Sequence, residues 1–402
     1  MSRLRTMDDL PDIAGCRVLV RVDWNVPFMG GIVSDATRIE RSASTILELV
    51  ERGAKIVLLS HMGRPQKQRD GKSSLRQVVP VAEDIFKKKI IFVEDCIGSL
   101  LSQSISDLSD GGIILAENIR FYPGEEDNDP DFVTMLAKNG DYYVNDAFSV
   151  SHRAHASVEG LASILPSCAG RSMQKELNML ERCFSLRYGP IVAISGGSKV
   201  STKIELLISL AKRVDTLVIC GGMANSFLAS DGMDMGRSLY QSDSFESIRR
   251  VTFVAQEVGC ELILPQDVVV AKQLKKGVKT ETVSVRSIPE DSIALDIGHK
   301  TVEHIKKSIL NAKTLIWNGP LGAFEVEPFD RATTEIARFI ADLTRKGDII
   351  SVAGGGDTLA ALSRAGVSDA FTYISTAGGA FFEWLEGKIL PGISALTSRD
   401  RN

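Results

Sequence analysis

Residues 17–60, RVLVRVDWNVPFMGGIVSDATRIERSASTILELVERGAKIVLLS, contain the pattern that decides the fold. Two runs rich in Val, Leu and Ile, at 17–22 and 55–60, flank residues 36–51, in which apolar side chains recur at helical spacing. A strand, a helix and a second strand in this order form a βαβ unit, and such units build parallel sheets. Strands that are apolar throughout indicate a sheet covered on both faces.

The same alternation continues to the end of the chain. Further strands are predicted at 113–116 and 141–145 in the first half, and at 191–195, 216–220, 262–264, 314–317, 348–353 and 371–375 in the second. Between the halves, residues 171–187 place apolar side chains on one stripe of a single helix. We therefore predict an α/β fold with two Rossmann-like three-layer domains, residues 1–170 and 188–385, with parallel sheets and this helix between them.

Composition excludes several classes of protein. The chain has 402 residues, which favours two domains at ~100–200 residues each, and its formal net charge of −4 argues against a protein that coats nucleic acid or an anionic membrane. The longest uncharged stretch, residues 216–230, is shorter than the ~20 residues of a spanning helix. The first residues carry Asp8, Asp9 and Asp12 where a secretory signal is apolar, and the six cysteines are scattered. We expect a cytoplasmic protein with reduced thiols.

Small residues follow four strands of the second half. The turns begin with Gly196-Gly197, Gly221-Gly222, Gly354-Gly355-Gly356 and Gly378-Gly379. Glycine lets a ligand approach the backbone, and the N-terminus of the following helix attracts anions. For any single turn, close packing or a positive φ is the more common explanation. Four such turns in one domain indicate a site for a polyphosphate.

Three charged residues lie in these turns. Lys199 and Lys203 are predicted in the first turns of one helix, where cations oppose the helix dipole and repel each other. They are either solvated surface lysines or residues that hold an anion between them. Asp357 is either a helix cap or, beside a nucleotide, the single carboxylate that Mg²⁺ commonly takes.

The strand ends of the first half carry polar and basic side chains instead of glycines. These residues are Asp23, Asn25, His61, Arg64, Arg120 and Arg153, with Arg38 at the start of the first helix. Arginines gathered at one sheet edge repel each other, and they bind carboxylate and phosphate groups with two hydrogen bonds each. A small anionic substrate is therefore favoured over a basic surface patch.

Several familiar sites are excluded. Gly71-Lys72-Ser73 resembles the end of a phosphate-binding P-loop, but Gln66 stands where that motif has glycine, and no G-x-G-x-x-G occurs. A Ser-His-Asp triad fails because no serine lies in G-x-S-x-G and because the histidines stand beside arginines. Histidine and cysteine spacing also excludes a zinc site.

Ten motifs, in order and spanning nearly the whole chain, resemble the phosphoglycerate kinase family. They are RVDWNVP, SHMGRP, ENIRFYPGEE, VNDAFSVSHRAHAS, GGSKVSTKI, GGMANSFL, LPQDVVVA, WNGPLGAFE, GGGDTLAAL and STAGGA. The resemblance implies glycolytic phosphoryl transfer between 1,3-bisphosphoglycerate and ADP, which gives 3-phosphoglycerate and ATP with Mg²⁺. It also implies a monomer that closes by hinge bending, with residues 386–402 returning to the first domain, and no nucleic-acid or membrane partner.

The resemblance assigns roles to individual residues. It implies phosphoglycerate binding by Asp23, Asn25, Arg38, His61, Arg64, Arg120 and Arg153. It implies nucleotide binding by Gly196, Gly197, Gly221 and Gly222 around the base, by Asn318 and Glu325 near the sugar, and by Lys203, Gly355, Gly356, Asp357 and Thr358 at the phosphates. Asp357 would hold Mg²⁺, and the migrating phosphoryl group would lie among Arg38, Lys199, Gly378 and Gly379.

Physical chemistry supports these roles. Both possible nucleophiles, an ADP phosphate oxygen and a carboxylate, are ionised near neutrality, so no general base is needed and the absence of a His/Asp dyad is understandable. Catalysis then depends on alignment and on charge stabilisation. Trp24 and Ala377 depart from the family pattern, and an alanine at position 377 would be strained if that position needs a positive φ.

Two alternatives remain at this point. One is a kinase of the same chemistry that acts on a different carboxylate, which the arginine and histidine set of the first domain disfavours. The other is a nucleotide-responsive binding protein without catalysis, which Arg38, Lys199 and Asp357 disfavour.

Overall fold

The structure is a computed structural model that describes residues 3–65, 69–183 and 189–397. The chain divides into two units, Met1–Asn178 together with Ile389–Asn402, and Met179–Lys388. Among the described residues, no helix combines the length and the apolar character that crossing a bilayer requires.

The first unit is built on a six-stranded parallel sheet. Its strands are β1 (Arg17–Arg21), β4 (Lys55–Leu59), β5 (Ile90–Val93), β6 (Ile113–Ala116), β7 (Tyr142–Asn145) and β8 (Ser167–Ala169), and a small hairpin pairs β2 (Phe28–Met29) with β3 (Ile32–Val33). The helices are α1 (Thr37–Glu51), α2 (Val79–Phe86), α3 (Ser99–Ser106), α4 (Pro130–Ala137) and α5 (Leu161–Ile164), and α6 (Arg171–Cys183) begins in this unit. The spatial order of the strands is β5-β6-β4-β1-β7-β8.

The second unit contains a parallel sheet of six strands and an antiparallel sheet of three. Its strands are β9 (Ile191–Ser195), β10 (Thr216–Ile219), β11 (Glu261–Ile263), β12 (Asp267–Ala271), β13 (Glu281–Ser284), β14 (Ile293–Ile297), β15 (Thr314–Asn318), β16 (Ile350–Gly354) and β17 (Tyr373–Ser375). Its helices are α7 (Ile204–Ala211), α8 (Gly221–Ser230), α9 (Phe245–Val258), α10 (His299–Asn311), α11 (Arg331–Arg345), α12 (Gly356–Ala365) and α13 (Gly379–Leu385).

The larger sheet of the second unit has the order β11-β10-β9-β15-β16-β17, the doubly wound Rossmann order when its strands are counted along the chain. The order reverses between β9 and β15, so loops diverge there and leave a crevice at the carboxyl ends of the strands. The antiparallel sheet has the order β13-β12-β14.

Burial explains why these segments form these elements. Four of the five residues of β1 are buried, as expected for a strand covered on both faces. Helix α1 buries Ile39, Ile46 and Leu49 on one face, which matches the periodicity in the sequence. The predicted α/β class with parallel sheets is therefore confirmed.

The sequence missed several strands. Strands β5 and β8 were not predicted, because β5 follows three lysines and β8 has only three small residues. The antiparallel sheet was also missed: β13 is largely exposed and polar and so lacks the apolar run that marked the other strands, whereas β12 has such a run but was not predicted as a strand.

Helix α6 contributes residues to both units, since the division falls after Asn178. Of its predicted apolar stripe, Met173, Leu177 and Leu180 are buried, and Phe184 lies outside the described residues. Residues 184–187 of the predicted helix lie outside the described residues. The carboxyl-terminal segment, with α14 (Pro391–Ser394), belongs to the first unit, where the Arg5 amide donates to the Leu396 carbonyl (3.1 Å).

Candidate active site

The carboxyl edge of the first sheet gathers the polar residues around a short ion pair. Arg38, on α1, donates from Nη1 to Oδ2 of Asp23 (2.6 Å) and to the carbonyl of Asn25 (3.2 Å). The side-chain oxygen of Asn25 accepts a hydrogen bond from the Gly63 amide (2.9 Å). The loops after β1 and β4 and the first helix are thus held together at one edge, because β1 and β4 are neighbours in the sheet.

Arg120 is the most unusual side chain at this edge. It is buried, and its Nη1 donates to the Gly63 carbonyl (2.8 Å). Its Nε lies 3.4 Å from Oε1 of Glu126 without forming a hydrogen bond, and both Nε and Nη2 lack a hydrogen-bond partner within the described chain. Burial and the charge of Arg21 lower the pKa of Arg120 to about 10. Buried donors without acceptors are costly, so this arrangement fits an anion.

His61 is surrounded by positive electrostatic influence from several arginines. It is buried, and its pKa is well below the ordinary value because of burial first and then because of four arginines, Arg21, Arg120, Arg153 and Arg38. The imidazole is therefore neutral near pH 7. The structure thus brings together three of the four predicted arginines. The fourth, Arg64, is exposed in the loop after β4.

Arg21 was not among the predicted site residues, although it lies inside the basic cluster. It is fully buried on β1, and its Nη2 is 3.1 Å from Nδ1 of His61. The sequence feature that could have identified Arg21 is a charged arginine within the apolar run RVLVRV. Near the same edge, Arg153 donates from Nε to Nε2 of His152 (3.4 Å).

The second unit contains a cavity of about 460 Å³ beside its glycine-rich turns. The predicted residues that line it are Gly197, Gly221, Gly222, Glu325 and Asp357. The rest of the wall is mainly apolar and includes Leu239, Pro265, Val268, Leu274, Leu295 and Leu321. Much of that wall belongs to the antiparallel sheet and its connections, which the sequence did not predict. An apolar cavity with a few polar groups is typical of a small-molecule site.

Close packing explains two of the glycines. A Cβ on Gly196 would lie 1.9 Å from the Pro320 carbonyl oxygen, and one on Gly221, where φ is +68°, would lie 2.8 Å from the Gly197 carbonyl oxygen. The Gly196 amide donates to Asn318 (2.8 Å) and the Gly221 amide to Leu321 (3.0 Å). These two amides therefore donate to backbone carbonyls of the chain and not to a ligand.

The predicted helical position of the two lysines is wrong. Helix α7 begins at Ile204, so Lys199 and Lys203 lie in the preceding loop and no repulsion across a helical turn arises. The loop is held in place by the buried Val200 and by the hydrogen bond from the Met223 amide to the Gly197 carbonyl (2.9 Å). Lys199 is exposed.

Lys203 is partly buried and bridges two strand ends. Its Nζ donates to the Gly196 carbonyl (2.7 Å) and to Oδ1 of Asn318 (2.6 Å). Burial lowers its pKa to about 8, against the opposing charge of Asp357. A cation held this way lies at the crevice where the strand order reverses.

The turn after β16 positions Asp357 toward the cavity. Gly355, with φ at +99°, is the N-cap of α12, so Asp357 is not the cap and that interpretation is wrong. Asp357 is exposed and lines the cavity. The hydroxyl of Thr358 donates to the Gly354 carbonyl (2.9 Å) and accepts from the Gly319 amide (2.7 Å), which fixes the turn.

The remaining predicted residues form the turn before α13. Gly378 is the N-cap there with φ at +52°, and Gly379 is the first helical residue. Ala377 is buried and is not among the non-glycine residues with positive φ, so the expected strain is absent in the described chain. Trp24 is fully buried and donates from Nε1 to the Ser42 hydroxyl (3.0 Å), so it fits as a core residue.

The basic cluster of the first unit and the largely apolar cavity of the second are features of an α/β enzyme that acts on small molecules. The family model described as phosphoglycerate kinase matches residues 7–388. Phosphoglycerate kinase of Agrobacterium fabrum is 56% identical over 398 residues, covering 99% of this chain and 100% of that protein. The Rhizobium meliloti enzyme is 55% identical, covering 98% and 99%.

Solved structures of phosphoglycerate kinases are also similar to this chain. Phosphoglycerate kinase from Coxiella burnetii superposes with a TM-score of 0.90 at 36% identity, covering 98% of this chain and 99% of that one. The enzyme from Pyrococcus horikoshii gives 0.80 at 27%, covering 98% of each. The chain belongs to the phosphoglycerate kinase family. It is a glycolytic transferase that moves a phosphoryl group reversibly between 1,3-bisphosphoglycerate and ADP, with 3-phosphoglycerate and ATP as products.

Proposed function

We propose that this transfer is a direct in-line displacement, with phosphoglycerate bound by the first unit and nucleotide by the second. The observation that carries the proposal is Arg120, whose buried Nε and Nη2 have no acceptor in the described chain. A carboxylate or phosphate of the substrate supplies that acceptor and recovers the cost of burying the guanidinium.

The other substrate contacts surround Arg120. Asp23 holds the guanidinium of Arg38 through the 2.6 Å pair, and Asn25 holds the loop that leads to Arg64 through the Gly63 amide. His61 and Arg153 complete the set. A neutral imidazole among arginines donates a hydrogen bond to an anion and does not act as a base.

The nucleotide occupies the cavity of the second unit. The base lies along the apolar wall near Gly197, Gly221 and Gly222, while Glu325 is placed for the sugar. Gly196 and Asn318 shape the site by packing and by holding Lys203. The phosphates extend toward Lys203 and the turn formed by Gly355, Gly356, Asp357 and Thr358.

The chemistry needs alignment and charge, not proton transfer. Arg38, Lys199 and the turn at Gly378 and Gly379 stabilise the negative charge on the equatorial oxygens of the phosphoryl group in transit. No general base is required, because the attacking oxygen is already ionised in either direction. The exposed position of Lys199 leaves its ammonium group available for this role.

Asp357 fits a magnesium site. Mg²⁺ prefers oxygen ligands and often takes one carboxylate together with phosphates and water, and Asp357 is an exposed carboxylate at the cavity wall. The described residues hold no group of three or more acidic, histidine or cysteine side chains suited to a metal, which agrees with an ion bound mainly by the nucleotide. When bound, the ion neutralises phosphate charge.

Direct transfer requires the two ligands to meet with water excluded, since acyl phosphates hydrolyse. We expect the two units to move together only when both ligands are bound. Small-angle scattering should show compaction with 3-phosphoglycerate plus nucleotide and not with either alone. Identical curves in all states would remove closure from the mechanism.

We expect the enzyme to be monomeric and to act in the cytoplasm. All six cysteines are free, and five are buried, which suits a reducing compartment. Gel filtration with light scattering measures the oligomeric state.

A coupled assay with ATP, Mg²⁺ and 3-phosphoglycerate tests the function. Turnover is expected, and a panel of other carboxylates should give little. Turnover with a different carboxylate alone would identify another carboxylate kinase. Nucleotide binding without turnover on any of them would identify a binding protein.

A further inference from the structure

Three fully buried residues of the first unit have no role in the scheme above. Arg21 opens the motif RVDWNVP, Glu125 stands next to last in ENIRFYPGEE, and Ser157 closes VNDAFSVSHRAHAS. All three have a relative exposure of 0%. Two opposite charges at such depth need precise partners, because desolvation is costly for each.

Ser157 joins the two charges. Its hydroxyl donates to Oε1 of Glu125 (2.7 Å), and its amide donates to Oε2 (2.9 Å). The same hydroxyl accepts a hydrogen bond from Nε of Arg21 (2.9 Å). Burial raises the pKa of Glu125, while the charge of Arg21 and the two hydrogen bonds from Ser157 act in the opposite direction. Both carboxylate oxygens accept, as the ionised form requires.

The far end of this chain of hydrogen bonds reaches the substrate site. Nη2 of Arg21 is 3.1 Å from Nδ1 of His61, and Nη1 donates to the carbonyl of Val22, which fixes the guanidinium plane. A guanidinium only donates hydrogen bonds, so Nδ1 of His61 must accept. The single proton of the neutral ring is therefore on Nε2.

We propose that Glu125 is a positioning residue for the phosphoglycerate site. Acting through Ser157 and Arg21, it holds His61 in the Nε2–H tautomer, so that the ring presents a donor and not a lone pair to the anionic substrate. The opposite tautomer would set two donors against each other at Nδ1. The identity of the substrate rests on the function proposed above, whereas the tautomer does not.

Nitrogen-15 NMR of the imidazole rings tests the tautomer directly. The protein has five histidines, and the His61 signals are identified by their loss in His61→Gln. At pH 7 we expect Nε2 of His61 to carry the proton and Nδ1 to carry none. A proton on Nδ1, or on both nitrogens, in the unaltered protein would overturn the proposal.

Ser157→Ala removes only the hydroxyl that links the two charges. We expect Arg21, which loses the acceptor of its Nε, to shift away from Nδ1 of His61, so that both tautomers of the ring are populated. The KM for 3-phosphoglycerate should rise about tenfold, the value of one hydrogen bond to a charged group. The kcat and the KM for ATP should change less than about twofold. Glu125→Gln, which keeps the size of the side chain, should act in the same direction.

Ser167→Ala is the matched control. Ser167 is also buried, accepts from Nη2 of Arg5 (3.0 Å) and donates to the Ala162 carbonyl (3.2 Å), and neither of these hydrogen bonds involves the basic cluster. It should leave the His61 spectrum and both KM values unchanged.

The outcomes separate this proposal from the proposed function. An unchanged tautomer in folded Ser157→Ala would refute the positioning role. If neither Ser157→Ala nor Glu125→Gln folds, the spectrum of the unaltered protein alone decides. The expected tautomer in a protein without turnover would uphold the His61 arrangement and contradict the proposed function.

Discussion

Nζ of Lys203 lies 2.6 Å from Oδ1 of Asn318, a contact between residues 115 positions apart in the sequence. Asn318 ends β15, and Lys203 precedes α7 in the loop after β9. These two strands are neighbours at the point where the sheet order reverses. The contact therefore places a partly buried ammonium group at the crevice in which an α/β sheet binds its ligand.

Nucleotide binding should take up a proton at Lys203. Burial lowers the pKa of this group to about 8, and a bound phosphate raises it again, so binding near pH 8 should take up about half a proton per nucleotide. Calorimetry in buffers of different ionisation enthalpy measures this number. Lys203→Met should abolish the uptake, and Lys212→Met, in the exposed C-cap of α7, should retain it. Equal uptake in both variants would contradict the assignment.

The same shift predicts how stability depends on pH without nucleotide. The folded protein releases the Lys203 proton at about 8, whereas the unfolded chain holds it to about 10.5. Because the unfolded state then binds more protons, this group makes the folded state more stable as pH rises from 8 towards 10.5. The difference between the unaltered protein and Lys203→Met in chemical denaturation should follow this trend. A difference that is constant over this range would show that the pKa is not lowered.

Lys199→Ala should reduce kcat far more than nucleotide affinity. We expect kcat to fall by about 10²–10³, because the ammonium group stabilises negative charge that develops on the phosphoryl group in the transition state. The Kd for ADP should change less than about threefold. Steady-state kinetics and equilibrium binding provide the two values. Comparable losses in both would make Lys199 a binding residue instead.

Asp357→Asn should weaken nucleotide binding only when Mg²⁺ is present. Affinity for ADP in the presence of Mg²⁺ should fall about tenfold, and affinity for metal-free ADP should stay the same or increase as a negative charge is removed. Asp369→Asn, an exposed carboxylate in the same unit, is the control. An equal loss with and without Mg²⁺ would indicate that Asp357 contacts the nucleotide directly.

Gly196→Ala should destabilise the second unit. The new Cβ would lie 1.9 Å from the Pro320 carbonyl oxygen, so backbone must shift, and we expect about 3 kcal/mol less free energy of unfolding. Gly356→Ala is the control, because nothing lies within 4 Å of its Cβ and it begins a helix. Urea unfolding without ligand should show little change or a small gain for it. A stable Gly196→Ala protein would mean that the turn relaxes easily.

Local pattern was sufficient for the α/β class and for most strands of the two parallel sheets, but not for the antiparallel sheet. Apolar strands alternating with amphipathic helices predict parallel sheets, and in such sheets the loops after the strands share one edge. That rule alone placed Asp23, His61 and Arg120 near one another. The predicted helical position of Lys199 and Lys203 was wrong, because the start of a helix depends on how the preceding loop is held, and here Val200 is buried.

The sequence by itself determined the fold class, the two-part organisation of the sheets and the chemical character of each sheet edge. These follow from residue spacing and from the direction of parallel strands. Only the tertiary structure decided which groups are paired, such as Lys203 with Asn318 and Glu125 with Ser157 and Arg21. It also decided that two buried donors of Arg120 have no hydrogen-bond acceptor within the described chain. The reason is physical, since pairing and burial depend on contacts between residues that are distant along the chain.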